Sequence, residues 1–257
     1  MLGKVMKYDI PALGRRLVPL YLAWIATAVF LGIMAGAANM TGFLAVISAL
    51  LYGVVTTAVI VMTIILVIQR YSTSLLGDGG YFTNVLPVKA GTLIMSKTLS
   101  ATLWVFISGI VAAVTGLIIG LLDNAGTVMD TFHAIGYFLG ELGGQDVLIM
   151  IELLILVIVS CAKSILAVYT AITIGHQSGK HVVLSSIGAY IGVLIFESLV
   201  GQIAFKIVGI QDVSFNSIDQ FADIQVFFVG TLLLTLAIAS VYYFVDRYLM
   251  TKRLNLQ

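Results

Sequence analysis

The feature that most limits how this chain can fold is a long stretch without a charged residue, from Leu17 to Gln69. A helix needs about 20 apolar residues to cross the hydrocarbon core of a bilayer, so this stretch is long enough for two crossings. Thr98–Leu122 and Ile224–Val245 are also free of charge. The sequence therefore predicts a helical protein that crosses a membrane several times.

The composition argues against a water-soluble globule. Only 10% of the 257 residues are charged and 60% are hydrophobic, whereas about a quarter of the residues of a soluble domain are charged. The net charge of +1 gives no reason to expect nucleic acid as a partner. The single cysteine, Cys161, lies in an apolar segment, where we expect it to pack.

Six apolar segments are predicted to be transmembrane helices, which gives an all-α, polytopic fold with one domain over residues 1–257. The first two segments share the long uncharged stretch, and we divide them at 35–43, where small and polar residues favour a turn. Each segment is long enough to satisfy its own backbone hydrogen bonds in lipid. The predicted spans are 17–36, 44–69, 92–122, 147–172, 182–205 and 224–246.

Basic residues are concentrated on one predicted side of the membrane. With the N-terminus in the cytosol, eleven of the 13 Lys and Arg residues fall in cytosolic segments, as the positive-inside rule requires. We therefore expect a multi-pass protein of the plasma membrane with both termini in the cytosol. A cleaved signal peptide is the alternative for the first apolar segment, but that segment is longer than a usual signal core. The cytosolic basic residues are Lys4, Lys7, Arg15, Arg16, Arg70, Lys89, Lys97, Lys180, Arg247, Lys252 and Arg253.

Residues 1–16 combine apolar positions at roughly helical spacing with four basic residues. This pattern predicts an amphipathic helix on the inner membrane surface, with its cations toward anionic lipid. Pro11 is expected to restart or kink it. The alternative is a basic tail without fixed structure that only sets the topology.

No motif of an enzyme stands out. Residues 91–98, GTLIMSKT, differ from a phosphate-binding loop in having Ser96 in place of the second glycine. Such a loop also needs a preceding buried strand and free backbone amides, whereas this segment runs into a predicted membrane helix. His176 and His181 have no nearby Cys or acidic residue and give only a weak metal signal. We expect no catalytic residue, metal or cofactor on this chain.

Three acidic or basic residues fall inside the apolar runs: Glu152 and Lys163 in the fourth span and Glu197 in the fifth. Such residues are costly in lipid and usually face other helices or a watery cavity. Because the fifth span runs antiparallel to the fourth, Glu197 is expected at a depth between the other two, and the three are candidates for a translocation path. The alternative is structural, with Lys163 extending toward the inner surface and Glu152 reaching the outer headgroups.

Between the second and third spans the chain reads GDGGYFTNVLPVKAG, residues 77–91. A connector needs only a few polar residues, yet this stretch contains glycines, an aspartate, two aromatic residues and a proline. We interpret residues 70–91 as a cytosolic loop that presents a short, half-apolar surface to a partner.

Three stretches of the chain then suggest a family: KYDIPALGRRLVPLYLAW at 7–24, residues 70–104 around the loop, and ITIGHQSGKH at 172–181. With six spans and cytosolic termini, the whole chain resembles the permease subunits of type-2 ABC exporters, especially the short permeases of clostridia-like Gram-positive bacteria. The resemblance implies that residues 1–16 form a connecting helix and that 202–223 form short external helices.

The resemblance also implies a coupling helix over 76–86 that docks in a groove of a separate ATP-binding subunit. Tyr81 and Phe82 would be its aromatic contacts, Asp78 its cap, and Pro87 its end. Gly79 stands where relatives often have an acidic residue, which puts a salt bridge to the partner in doubt. The residues assigned to partner binding are Asp78, Gly80, Tyr81, Phe82, Leu86 and Pro87.

The implied function is export by alternating access in a dimer of permeases, with ATP and Mg bound by the ATP-binding cassette subunits. The second permease is either another copy or a homologue, and the substrate is a peptide, a drug or a lipid. Two alternatives remain open. One is an ATP-independent carrier or channel that uses Glu197 and Lys163, and the other is a membrane assembly or sensor protein without transport.

Overall fold

The computed structural model of the chain describes residues 2–36, 43–76, 89–178, 181–207 and 220–252. All the regular secondary structure of these residues is helical. A π-helical turn, Ser72–Leu76, continues the second long helix, and a 3₁₀ turn, His176–Ser178, follows the fourth. The long helices are α1 Leu2–Gly36, α2 Phe43–Tyr71, α3 Ala90–Glu141, α4 Gly144–Gly175, α5 Val182–Ile207 and α6 Gln220–Lys252.

Six helices of the described residues are long and apolar enough to cross a membrane. This confirms the predicted all-α fold with six spans. Each predicted span lies within one of these helices, because the thickness of a bilayer fixes the length of the apolar segment. The segment with the partial phosphate-loop pattern lies in the first turns of α3, which begins at Ala90.

The N-terminal segment and the first span form one helix. α1 continues through Pro11 and Pro19, so the predicted restart at Pro11 does not occur. Contacts with Trp104 of α3 hold this part of α1 in place. Its indole N–H donates a hydrogen bond of 3.1 Å to the carbonyl of Ile10, and its ring lies directly against Gly14. These contacts offset the local cost of a proline inside a helix.

α3 consists of two helical stretches that meet at Asn124, whose backbone angles are not helical (φ −150°, ψ 94°). The Asn124 side-chain oxygen accepts hydrogen bonds from the backbone N–H groups of Gly126 and Thr127 at 3.1 and 3.4 Å. Asn124 thus caps a second helical stretch, as asparagine commonly does. The helical structure therefore continues beyond the predicted third span, which ends at residue 122.

The contacts divide the chain into two compact units. The first combines α4, α5 and α6 with residues 2–6 and 68–102. In this unit α4 packs against both α5 and α6. Its apolar core consists of Ile94, Leu166, Ala167, Val193, Ile238 and Tyr242.

The second unit consists of residues 7–67 and 103–142. Polar side chains link its helices: the Trp24 indole N–H donates to Thr56 Oγ1 at 2.8 Å, and the hydroxyls of Tyr52 and Thr115 share a hydrogen bond of 3.0 Å. Such bonds hold helices together in lipid, where hydrophobic attraction between helices is weak. The apolar core of this unit consists of Leu13, Leu17, Tyr21, Trp24, Val59, Leu66 and Trp104.

Gly14→Ala tests the contact between α1 and α3. A Cβ at residue 14 would come within 2.7 Å of the Trp104 ring, so the indole must move and its hydrogen bond to Ile10 must lengthen. Overpacking of this kind costs about 1–3 kcal/mol. We expect a lower thermal unfolding midpoint for the protein in detergent. Gly109→Ala is the matched control, because among the described residues a Cβ there would meet no atom within 4 Å outside the local backbone of its own helix; equal midpoints for the two variants would contradict this account.

Candidate functional site

The first unit contains an ion pair between two of its apolar helices. Nζ of Lys163, on α4, lies 2.7 Å from Oε2 of Glu197, on α5. Tyr242 of α6 donates its hydroxyl proton to the other oxygen, Oε1, at 3.0 Å. Lys163, Glu197 and Tyr242 are called the charge network below. Two of the three candidate path residues are therefore in direct contact, and a third helix contributes a residue that the sequence analysis missed.

The charge network lies far from the ends of its helices. At about 1.5 Å per residue, Lys163 is roughly 18 Å from the end of α4 at Gly175, and Glu197 is roughly 22 Å from the start of α5 at Val182. The hydrocarbon core of a bilayer is about 30 Å thick. If these helices cross a membrane, the pair is near the middle of the apolar layer, where a single charge is most costly.

Local sequence explains why the two charges can approach. Ser160, Cys161, Ala162 and Ser164 surround Lys163 with small side chains, and small residues let membrane helices pack closely. The Ser164 hydroxyl donates to the Ser160 carbonyl of its own helix at 2.9 Å. The α4–α6 contact fixes the third partner, because Tyr242 is buried in the core of the unit.

Both carboxylate oxygens of Glu197 receive a donor, one of them a cation. Charge-assisted hydrogen bonds of this length are the strong ones. The pair has no net charge, so the network is compatible with an apolar layer as long as both partners are present. About a fifth of each charged side chain stays exposed, 18% for Lys163 and 21% for Glu197. A ligand can therefore reach the carboxylate from the surface of the unit if the lysine moves aside.

Glu152, the third candidate, is not part of the charge network. It precedes Lys163 on the same helix by eleven residues, which is roughly 16 Å along the axis. Its Oε2 atom is buried and has no hydrogen-bond partner among the residues that the structure describes. Of the three candidate path residues, Lys163 and Glu197 thus form a pair in the described structure, and Glu152 is a separate carboxyl group.

The predicted partner-binding residues Asp78, Gly80, Tyr81, Phe82, Leu86 and Pro87 lie outside the described residues. The two chain ends that lead to them are described. The chain enters the loop through the π-helical turn Ser72–Leu76, in which Leu75 is buried. It leaves the loop at Lys89, whose carbonyl accepts a hydrogen bond of 2.9 Å from the N–H of Thr92 in α3. The described chain thus ends in a helical turn before the loop and begins again at the start of α3.

A second polar cluster surrounds Asp246, near the end of α6. Asp246 is completely buried, and the Thr170 and Thr173 side chains of α4 lie beside it. Tyr71 of α2 shares a hydrogen bond of 2.9 Å with Thr173, and its ring stacks on Tyr169 with centroids 3.8 Å apart. The sequence analysis missed Asp246 because it directly follows the uncharged stretch and reads as the polar end of the last span.

The two threonine hydroxyls beside Asp246 each have a hydrogen-bond partner in their own helix. Thr170 donates to the Leu166 carbonyl and Thr173 to the Tyr169 carbonyl, at 2.9 and 2.8 Å. While these bonds are kept, the threonine oxygens can only accept a hydrogen bond from the group at position 246. Neither carboxyl oxygen of Asp246 has a partner with hydrogen-bond geometry in the described part of the chain, so an aspartate is a poor match for this position.

Asp246→Asn is expected to stabilise the protein for this reason. An amide has no charge, and its N–H groups can donate to the threonine oxygens. Removing an unsatisfied buried group is worth about 1–3 kcal/mol, so the thermal unfolding midpoint in detergent should rise. Asp130→Asn is the control, since Asp130 is exposed and its replacement should change little. A lower midpoint for Asp246→Asn would show that the carboxyl group makes a stabilising contact.

Comparison with known proteins finds no match: no family model, no curated protein and no solved structure matches the chain. A function for the chain is therefore argued from its residues and their geometry. Among the polar clusters of the described residues, the charge network combines opposite charges, partial exposure and a position far from the helix ends, which makes it the strongest candidate site.

Proposed function

We propose that this chain is the membrane permease subunit of an ATP-driven exporter of the ABC type-2 class. It would lie in the plasma membrane with both termini in the cytosol and act as a dimer of permeases with two ATP-binding subunits. The observation that carries the transport part is the charge network within apolar helices, because ionisable groups at such positions commonly mark substrate or ion paths. The ATP-driven part rests on the resemblance of residues 70–104 to such permeases.

The helices on either side of the loop are long enough to transmit a movement of the loop across the membrane. α2 and its π-helical turn extend from Phe43 to Leu76, and α3 is helical from Ala90 to its bend at Asn124. Each of these pieces has more than 30 residues and is about 50 Å long. In the proposed cycle, ATP binding brings the two coupling loops together, the two helices carry this motion through the membrane, and the external ends open.

The charge network has a defined role in this cycle. While Lys163 and Glu197 are paired, their charges cancel. When Lys163 moves away, Glu197 keeps the hydrogen bond from Tyr242 and offers a carboxylate to a positively charged group. The Glu197 carboxylate favours a peptide, drug or lipid substrate that carries an amine or a guanidinium.

The same pair supports a second candidate function. Because both charges belong to one chain, a carrier or channel could use Glu197 without any ATP-binding partner. Flux in liposomes without ATP would favour this alternative. A protein that assembles or senses without transport would show no flux, and it would tolerate loss of the pair once its stability is restored.

Purification from the native host tests the proposal. A tagged chain isolated from host membranes under mild detergent is expected to bring with it a separately encoded ATPase at a constant ratio. A chain with another six-span membrane protein's residues in place of 77–88 is the matched control, because it keeps the same tag and the same described helices. Isolation of the wild-type chain without any ATPase, across several mild detergents, would contradict the proposal.

A further inference from the structure

The second helical stretch of α3, residues 125–141, carries one apolar face and one polar face. We call it the distal arm. Val128, Phe132, Ile135 and Leu139 follow one another at spacings of four, three and four residues, which places them on one side of a helix. The opposite side carries Asp130, His133, Tyr137 and Glu141.

Large apolar side chains of the distal arm are exposed in the structure. Phe132 is 50% exposed, Ile135 46% and Leu139 51%. Only Val128 is partly covered, and it lies against Gly120, on the other side of the bend. A face with this much exposed apolar area needs a partner or an apolar medium.

The position of the distal arm between two apolar helices indicates that its apolar face contacts the membrane surface. The uncharged stretch of α3 ends at Leu122, two residues before Asn124. The apolar segment of α4 begins at Val147, a few residues after the arm ends at Glu141. If α3 and α4 each cross the membrane, both ends of the arm lie close to the same membrane surface. The arm is about 25 Å long, so a helix with both ends at that surface lies along it.

The bend at Asn124 is consistent with this arrangement. The capping bonds to Gly126 and Thr127 start a new helix at the point where the span ends. The contact of Val128 with Gly120 shows that the chain turns there, because two residues eight apart in a straight helix are about 12 Å apart along the axis.

We propose that the distal arm is an interfacial helix that lies in the headgroup region of one leaflet, with Phe132, Ile135 and Leu139 toward the acyl chains. The partner is a lipid surface, recognised by apolar burial. No Lys or Arg occurs between residues 123 and 146, so the arm lacks the cations with which many amphipathic helices bind anionic lipid. Its membrane contact should therefore not depend on headgroup charge. The proposal requires only that α3 and α4 cross a membrane, and it does not depend on ATP-driven export.

Site-directed spin labelling tests the proposal. The full chain is prepared with Cys161→Ser as background, and single cysteines are introduced as Phe132→Cys and as His133→Cys. The labelled proteins are reconstituted in phosphatidylcholine vesicles, and the collision of each label with oxygen and with a water-soluble nickel complex is measured. We expect the ratio of oxygen to nickel collisions to be several-fold higher for the label at 132 than for its neighbour at 133.

Leu139→Cys and Glu141→Cys repeat the comparison on the next turn, so that failure of one variant to fold leaves a second pair. Equal nickel access at 132 and 133 would show that the arm projects into water. A label at 132 shielded from both reagents would show that a protein, such as a second copy of the chain, covers this face. A preference that appears only in vesicles with anionic lipid would show that charge drives the contact. Each of these outcomes overturns the proposal.

Discussion

Glu197→Gln is expected to destabilise the protein by at most about 3–5 kcal/mol, the cost of removing one partner of a fully buried ion pair, because about a fifth of each side chain stays exposed. Glutamine keeps an oxygen for the Tyr242 hydroxyl, but it leaves the Lys163 ammonium without its counter-charge. If these helices cross a membrane, the unpaired lysine lies near the middle of the apolar layer, where a single charge is most costly. Thermal unfolding in the same detergent would measure the loss as a lower midpoint.

The double variant Lys163→Met with Glu197→Gln separates structure from function. It removes both charges, and replacing a whole buried pair by uncharged groups is often close to neutral for stability. We therefore expect the double variant to regain most of the lost stability but to transport poorly. Asp130→Asn is a control for the loss of an exposed carboxylate outside the charge network. Full transport by the stable double variant would show that the charge network only holds helices together.

Tyr81→Ala combined with Phe82→Ala is expected to uncouple the chain from its ATP-binding subunit. Aromatic residues that fill a pocket at an interface each contribute about 2–4 kcal/mol, and a loss of this size weakens binding about 30-fold or more. The amount of ATPase that purifies with the tagged chain would measure this loss. The unfolding midpoint of the isolated permease should stay the same, because the two residues are assigned to the partner.

Phe132→Ala is the matched control for loss of an exposed aromatic residue. It removes a phenyl ring from the distal arm, a segment not assigned to partner binding, and should leave the amount of bound ATPase unchanged. If the loop variant retains its ATPase as fully as Phe132→Ala does, residues 76–86 are not the coupling helix.

The six membrane-spanning helices could be predicted from the sequence because the thickness of the bilayer fixes their length. A bilayer requires an apolar segment of about 20 residues, and each predicted span lies within a helix of the structure. The extent of α1 could not be predicted in this way. A proline inside a helix usually ends or kinks it. At Pro11, only the contact of Trp104 with Ile10 and Gly14 shows why α1 continues.

The sequence located the charges of the candidate site but not their pairing. The antiparallel course of α4 and α5 placed Glu197 at a depth near Lys163, whereas the rotation of each helix about its axis depends on packing that involves α6. Tyr242 carries no signal of its own, because a tyrosine in an apolar stretch is usual. The distal arm did have a signal, the spacing of Val128, Phe132, Ile135 and Leu139, but the predicted third span ends at Leu122, where the uncharged stretch ends.

The central claim is that this chain works as the permease of an ATP-driven exporter, and the rate of ATP hydrolysis in reconstituted vesicles tests it most directly. The ATPase that purifies with the chain would be measured alone, with the wild-type chain, and with the Tyr81→Ala, Phe82→Ala variant. We predict that the wild-type chain changes the rate of hydrolysis and that the variant returns it to the rate of the ATPase alone. The same rate in all three preparations, or substrate flux through the wild-type chain without ATP, would contradict the claim.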